Sequence, residues 1–262
     1  MSQKIKFGMP YLLEINDVEK SILLAKELGL DFIELNSNFP SSLLKILEKI
    51  NLHREGLFFT LHLDDSLNIA DINPFMQKAA LETSLAAVRL AKKWNIPTIN
   101  IHFARGNVVT LPDGKRYIFQ EYEEEFHKNL LIYRQRMEEA IGTSSLHISI
   151  ENTDGWEDYE RKAIDLLLES KVFALTLDIG HNHAVKDRDL DFFLERENKL
   201  IHMHAHDGWD QTNHQILGSG EIPLKERLDL ARKTKANVLL EIKTLEALKT
   251  SIAWLKDHGY WK

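Results

Sequence analysis

The chain has 262 residues, of which 44% are hydrophobic and 28% charged, with a formal net charge of -7 and no cysteine. This length suits one barrel domain or two ordinary domains with a large core. The lack of cysteine excludes disulfides and thiolate chemistry, so any metal must be held by His, Asp or Glu. The negative charge argues against a general nucleic-acid binder, although it does not exclude a local basic patch.

The beginning of the chain, Met1 to Phe7, has no apolar run of signal-peptide length. No later stretch approaches the roughly 20 apolar residues of a membrane span. We therefore expect a cytoplasmic protein without a membrane partner. The sequence does not indicate the oligomeric state.

Short β-branched or aromatic runs alternate with longer amphipathic stretches along the chain. The predicted strands are Ile5–Met9, Phe32–Leu35, Phe58–Leu63, Thr98–Phe103, His147–Glu151, Ala174–Asp178, Leu200–His204 and Val238–Ile242. The predicted helices are Val18–Leu28, Ser42–Ile50, Pro74–Trp94, Tyr122–Ile141, Glu157–Glu169, Leu190–Glu195, Leu224–Thr234 and Leu245–Asp257. Asn16 or Asp17 can cap the first helix, Gly29 can end it, and Pro74 suits a first helical turn.

Eight strand–helix alternations predict a (β/α)8 TIM barrel, an α/β fold, as a single domain over residues 1–262. An open doubly wound sheet usually has fewer strands, and a nucleotide-binding one begins with a glycine-rich turn. The first turn here is Gly8-Met9-Pro10-Tyr11, without that signature. Residues 106–120 form one long connection in which Asp113-Gly114 predicts a hairpin. This hairpin is either a lid over the strand ends or a plain surface feature.

Functional residues of such barrels lie at the carboxyl ends of the strands. Seven predicted strands carry charged or imidazole side chains there: Glu34, His62, His102, Glu151, Asp178 with His181, His204 with His206, and Glu241. Carboxylates and imidazoles gathered at one mouth repel or lose solvation unless a positive charge lies among them. A divalent metal ion resolves that conflict. Mixed ligands of this kind indicate Zn or Mn first, with Fe or Co as alternatives.

Four short blocks carry a resemblance to a known superfamily. They are Ile150-Glu151-Asn152-Thr153, Leu177-Asp178-Ile179-Gly180-His181, Met203-His204-Ala205-His206-Asp207 and Leu217-Gly218-Ser219-Gly220-Glu221-Ile222. Their order and spacing resemble the xylose-isomerase-like barrels, which include sugar isomerases and epimerases and the endonuclease IV branch of DNA repair. The resemblance runs from about Phe58 to Leu240 and implies the barrel fold.

The resemblance also implies a metal site. In both branches a Glu, an Asp, a His and a Glu from strands five to eight hold one metal ion. These positions fall on Glu151, Asp178, His204 and Glu241. His181, three residues after the aspartate, matches a position that contacts substrate or an extra metal.

The first functional hypothesis is a metal-dependent isomerase or epimerase of a small carbohydrate-like substrate: a sugar, sugar phosphate or related polyol. The metal would polarise a substrate carbonyl and acidify the neighbouring carbon. By resemblance to ketose epimerases, Glu151 and Glu241 would remove and return the proton, with His181 on a substrate oxygen. Further substrate-binding candidates are Glu34, Arg105, Trp156 and Trp209. Those epimerases often carry an arginine after the strand-seven histidine, which this chain lacks between His204 and His214.

The alternative is a zinc-dependent apurinic-site endonuclease or phosphodiesterase like endonuclease IV, which uses three zinc ions. Candidates for a second metal, or for substrate contact, are His62, His102, His206 and His214. Thr212 stands where the resemblance implies an aspartate of the third zinc site. Asp64 and Asp65 would face phosphates unfavourably, so a nucleic-acid partner is not the first expectation. A non-catalytic binding protein on the same fold is a third possibility.

Overall fold

A computed structural model describes residues 4–47 and 56–261. Eight parallel strands close into a barrel, in which each strand pairs with its neighbours along the chain and the first closes against the last. The strands are β1 (Phe7–Pro10), β2 (Phe32–Asn36), β3 (Phe58–His62), β4 (Thr98–His102), β5 (His147–Glu151), β6 (Phe173–Asp178), β7 (Leu200–Ala205) and β8 (Asn237–Leu240). The predicted (β/α)8 barrel is confirmed.

Helices follow the strands and pack their apolar faces against them. The main helices are Val18–Glu27, Leu44–Leu47, Pro74–Trp94, Glu123–Ile141, Asp158–Leu168, Leu190–Leu194, Leu224–Thr234 and Leu245–Asp257, with shorter ones at Ile118–Glu121 and Ile179–Ala184. Of the predicted helix Ser42–Ile50, residues 48–50 lie outside the described residues. In the described part of the chain, no helix combines the length and apolar character that crossing a bilayer requires.

The helix ends show why the sequence signals were informative. Asp17 accepts a hydrogen bond from the backbone N–H of Lys20 at 2.8 Å, so it is the N-cap of the first helix. Gly29, with φ of +72°, follows the end of that helix in the left-handed region. Asn73 caps the helix that begins at Pro74. The observed bounds therefore follow from local chemistry.

A buried polar layer lies inside the barrel, one pleat below the strand ends. It comprises Thr60, Asn100, Ser149, Thr176 and His202, all fully buried. Each precedes by two residues a side chain at the mouth, and alternation along a strand directs both to the same face. Ser149 and Thr176 share a hydrogen bond of 2.6 Å. The residues at the mouth therefore rest on partners that can accept or donate hydrogen bonds.

Two hairpins project from the carboxyl ends of the strands. The first pairs Val108–Leu111 with Gly114–Tyr117 after β4, so the predicted hairpin is present; a lid role for it stays a prediction. The second pairs Asp207–Trp209 with Thr212–Gln215 after β7 and was not predicted. Its position places His214 beside the mouth of the barrel.

The second hairpin is anchored by the carboxylate of Asp207, which is 1% exposed. Its Oδ1 accepts the N–H groups of Gly208 and Ile222, and its Oδ2 accepts those of Gly218 and Gly220. Four backbone donors therefore depend on one side chain. This network accounts for the block Leu217–Ile222 as a structural feature.

We expect Asp207→Asn to lower the free energy of unfolding by about 3 kcal/mol. The amide nitrogen would face two backbone N–H groups, and each buried donor left without an acceptor costs about 1–3 kcal/mol. Urea unfolding measures the change. The control is Asp210→Asn, the same substitution at an exposed position of the same hairpin, for which we expect a change within about 0.5 kcal/mol. Equal effects of the two substitutions would contradict this account.

Candidate metal centre

Four side chains meet at the carboxyl ends of β5 to β8. One ligand atom each of Glu151, Asp178, His204 and Glu241 lies within 4.8 Å of all the others. Nδ1 of His204 is 3.1 Å from Oε1 of Glu151, 3.2 Å from Oε2 of Glu241 and 3.8 Å from Oδ2 of Asp178. The structure thus brings together the four residues predicted to bind metal, which we call the quartet.

The electrostatics of the quartet favour a positive charge at its centre. Burial alone would lower the pKa of His204, but the charges of Glu151, Glu34 and Glu241 raise it well above its ordinary value. Burial would likewise raise the pKa of Glu151 and of Glu241, yet His204 holds both well below the usual range. Three carboxylates around one imidazole nitrogen leave an excess of negative charge that a cation would neutralise.

The residues present fit a divalent metal ion. Nδ1 of His204 and Oε2 of Glu241 are buried atoms without a hydrogen-bond partner among the described residues. Buried polar atoms normally have such a partner, and leaving one without costs about 1–3 kcal/mol. One nitrogen and three carboxylate groups suit Zn or Mn better than Ca or Mg, which prefer all-oxygen shells.

A cavity of about 390 Å³ lies beside the quartet at the ends of the first, second and eighth strands, and Glu241 is the quartet residue in its lining. Its wall includes apolar side chains, Tyr11 and Phe39 among them, and the amides of Asn36 and Asn38. Lys243 also lines it, with Nζ 2.6 Å from Oε1 of Glu241. An apolar wall with a few polar groups is typical of a small-molecule site.

Residues 22–258 match a family described as xylose isomerase-like TIM barrel. The chain belongs to this family. A protein of Methanocaldococcus jannaschii, MJ1188, is 23% identical over 230 residues, which cover 83% of this chain and 80% of the relative.

Two solved structures of similar fold have informative names. A D-tagatose 3-epimerase-like protein is 20% identical with a TM-score of 0.78, and the match covers 97% of each chain. The IolI protein with a bound zinc atom is 13% identical with a TM-score of 0.68, covering 97% of this chain and 96% of the other. Because both sequence identities are low, the similarity to these two structures establishes the fold of this xylose isomerase-like barrel and not its reaction.

A second cluster of possible ligands lies beside the quartet in this xylose isomerase-like barrel. Nε2 of His62 and Nε2 of His102 lie 3.3 Å and 3.7 Å from Oε2 of Glu151, and Asp65 lies 3.7 Å and 3.8 Å from their Nδ1 atoms. Burial opposes a charge on His62, but Glu151 raises its pKa to about 9. Burial lowers the pKa of His102. The cluster shares Glu151 with the quartet.

His206, predicted as a ligand of a second metal or a substrate contact, has protein partners. Its Nδ1 accepts the backbone N–H of His214 at 2.9 Å, and its Nε2 lies 3.1 Å from Oδ1 of Asp178. The ring packs on Gly180, where a Cβ atom would overlap it. His206 is fully buried and contacts Asp178, and it also forms a possible ligand cluster with His214 and Glu241, so its predicted role at a second metal stays a prediction.

His181 and His214 lie at the mouth, as predicted. Their ring centroids are 6.0 Å apart. Nδ1 of His214 lies 3.9 Å from Oε2 of Glu241 and has no hydrogen-bond partner among the described residues. Burial lowers the pKa of His214 to about 4. Thr212, on the exposed part of the hairpin, supplies no carboxylate to this pair.

The predicted substrate-binding residues have different environments. Arg105 lines a cavity of about 310 Å³ with His102 and His181, and its Nε pairs with Glu160 at 3.2 Å. Trp209 is 39% exposed on the second hairpin. Trp156 is 1% exposed, with ring centroids 5.3 Å from those of Phe192 and Phe193. The structure therefore corrects the prediction for Trp156, because its ring is packed in the core and faces no sugar.

Glu34 was also predicted to contact substrate, and it lies at the floor of the larger cavity with only 3% of its surface exposed. Its oxygens contact Thr60, His202 and His204 while the side chain also lines this cavity, so substrate contact by Glu34 stays a prediction. Sequence reasoning did not identify Asn100, which hydrogen-bonds Glu151, or Lys243. The alternation of side-chain direction along a strand could have identified both residues, because Asn100 lies two residues before His102 and Lys243 lies two residues after Glu241.

Proposed function

We propose that this protein is a metal-dependent isomerase or epimerase of a sugar, sugar phosphate or related polyol. The observation that carries the proposal is that Glu151 and Glu241 each place an oxygen within 3.2 Å of Nδ1 of His204. They come from β5 and from the end of β8, which are not adjacent, so a substrate over the quartet would lie between them. The epimerase-like fold relative and the zinc-bound one support the proposal.

The quartet would hold the metal, which when bound supplies Lewis acidity that lowers the pKa of the carbon next to a substrate carbonyl. One glutamate then takes the proton from that carbon, and the other delivers a proton to the same or the neighbouring carbon. Glu241 is 15% exposed and contacts Lys243, whereas Glu151 is 2% exposed and contacts His62 and Asn100. The two carboxylates therefore differ in their exposure and in their partners.

The cavity suits a small polyhydroxy substrate. Asn36 and Asn38 offer amides to hydroxyl groups, and the rings of Tyr11 and Phe39 offer apolar surface to a sugar face. His181 and His214 can hydrogen-bond substrate oxygens from the opposite side of the mouth. The volume of about 390 Å³ is at the small end of ligand sites.

The test is solvent deuterium exchange. We expect the zinc- or manganese-loaded protein to incorporate deuterium next to the carbonyl of at least one compound in a panel of ketoses, ketose phosphates and keto polyols. Incorporation should stop when the metal is removed with a chelator and return when it is restored. Absence of exchange over the whole panel in metal-loaded protein would contradict the proposal.

A metal-dependent phosphodiesterase is the second candidate, and the cluster of His62, Asp65 and His102 next to Glu151 favours it. A second metal there would let two ions hold a phosphate and activate water. Elemental analysis separates the two candidates, since about one metal per chain supports the isomerase and two or three zinc ions support the hydrolase. Incision of an abasic-site duplex would establish the second.

A further inference from the structure

Glu34 is a buried carboxylate beneath the quartet, in a position that the proposed proton transfer does not use. Oε1 of Glu34 lies 3.0 Å from Nε2 of His204, on the side of the ring away from the other three carboxylates. Oε2 accepts a hydrogen bond from Thr60 at 2.7 Å and lies 3.1 Å from Nε2 of His202. Each of these four residues is no more than 3% exposed.

The charge of Glu34 is held in place by its partners. Its two oxygens lie within 3.1 Å of Nε2 of His204, Nε2 of His202 and the hydroxyl of Thr60. An ionised carboxylate only accepts hydrogen bonds. A His204 that binds a metal through Nδ1 carries its proton on Nε2, the nitrogen that lies 3.0 Å from Oε1 of Glu34.

We propose that Glu34 is a positioning residue that holds His204 by its Nε2 side, so that Nδ1 is presented to the metal. Thr60 and His202 fix the second oxygen of Glu34 and thereby the orientation of its carboxylate. Carboxylates behind metal-binding imidazoles fix the ring and raise its basicity, and their loss typically weakens metal binding 10- to 100-fold. The inference rests on the proposed metal dependence and adds a fifth side chain to the centre.

The experiment measures zinc affinity by competition with a chromophoric chelator. We expect Glu34→Gln, which keeps the size of the side chain but removes its charge, to weaken zinc binding about 10- to 100-fold. In the zinc-loaded wild type, the Nε2–H proton of His204 should resonate downfield in NMR spectra and shift upfield in Glu34→Gln. If Glu34 has a purely structural role, Glu34→Gln will lower the melting temperature and change neither the zinc affinity nor the resonance of the His204 proton.

The matched control is Asp189→Asn, which neutralises another fully buried carboxylate, one that pairs with Arg161 and accepts the N–H of Trp156. This variant should lose stability and keep zinc affinity within about twofold of wild type, since Asp189 contacts no quartet residue. Unchanged affinity in a folded Glu34→Gln would overturn the inference and leave the proposed function standing. Absence of zinc binding in the wild type would overturn both.

A second variant keeps the inference testable if Glu34→Gln does not fold. Thr60→Val removes the hydroxyl that donates to Oε2 of Glu34 and preserves side-chain shape. We expect zinc affinity to fall about threefold or more, because Oε2 of Glu34 loses one of its hydrogen bonds and the carboxylate is held less firmly toward His204. Wild-type affinity in Thr60→Val would then count against the role of Glu34.

Discussion

Replacing Asp178 with asparagine is expected to weaken metal binding roughly 100- to 1,000-fold. A four-ligand zinc site contributes about 10–16 kcal/mol, so one ligand accounts for about a quarter of that, and 1.4 kcal/mol is tenfold in affinity. The asparagine oxygen can still accept the N–H of His181, which Asp178 accepts at 2.7 Å as the N-cap of the helix Ile179–Ala184. The fold should therefore survive the change. Elemental analysis of the purified variant and chelator competition measure the loss.

The control for Asp178→Asn is Asp65→Asn, which alters the neighbouring cluster and leaves the quartet intact. Asp65 lies 3.7 Å and 3.8 Å from His62 and His102 and is 57% exposed at its side chain. We expect this variant to retain about one metal per chain if the quartet is the primary site. The account fails if Asp178→Asn keeps its metal, or if Asp65→Asn loses the first metal ion.

The second large effect is expected for the two glutamates of the quartet. Glu151→Gln and Glu241→Gln should each lower the rate of solvent deuterium exchange about 10²- to 10⁴-fold, because a glutamine side chain cannot take up a proton at neutral pH. Each variant is compared with wild type after loading with the same amount of metal. With equal metal loading, a lower exchange rate reflects the loss of proton transfer and not the loss of the metal ion.

The control for both glutamate variants is Glu226→Gln, the same substitution at an exposed position in the helix Leu224–Thr234. It should exchange at the wild-type rate. Exchange that survives in either metal-loaded quartet variant would show that its glutamate transfers no proton. The two roles could then be assigned to other groups at the mouth, of which His214 lies within 3.9 Å of Glu241.

The fold was predictable because each strand and main helix carries its own signals. His147–Glu151 and Pro74–Trp94 begin and end where the sequence places them. The predicted strand Ile5–Met9 is shifted to Phe7–Pro10, since pairing with β2 and β8 sets its ends. The helix Ile179–Ala184 was not predicted, because six residues are too few to show a helical spacing of apolar side chains. It begins at the N-cap Asp178. The second hairpin was missed because its turn at Asp210 lacks the glycine of common tight turns.

The quartet was predictable for a different reason. Parallel strands of a barrel bring their carboxyl ends to one face, so residues far apart in the chain meet there whatever the loops do. The partners of the quartet were less accessible to sequence reasoning. Trp156 and His206 follow strand ends as other candidate site residues do, and only tertiary packing shows that the first is in the core and the second in contact with Asp178.

The order of the ligands along the chain has a consequence for how the centre is assembled. Glu151, Asp178 and His204 lie on β5, β6 and β7, Glu241 follows β8, and Glu34 lies on β2. Glu241 follows the final strand, so the four ligands and their carboxylate support exist together only after β8 has paired with β1 and β7. A bound metal would therefore lock a finished ring, instead of acting as an early nucleus around which the chain folds.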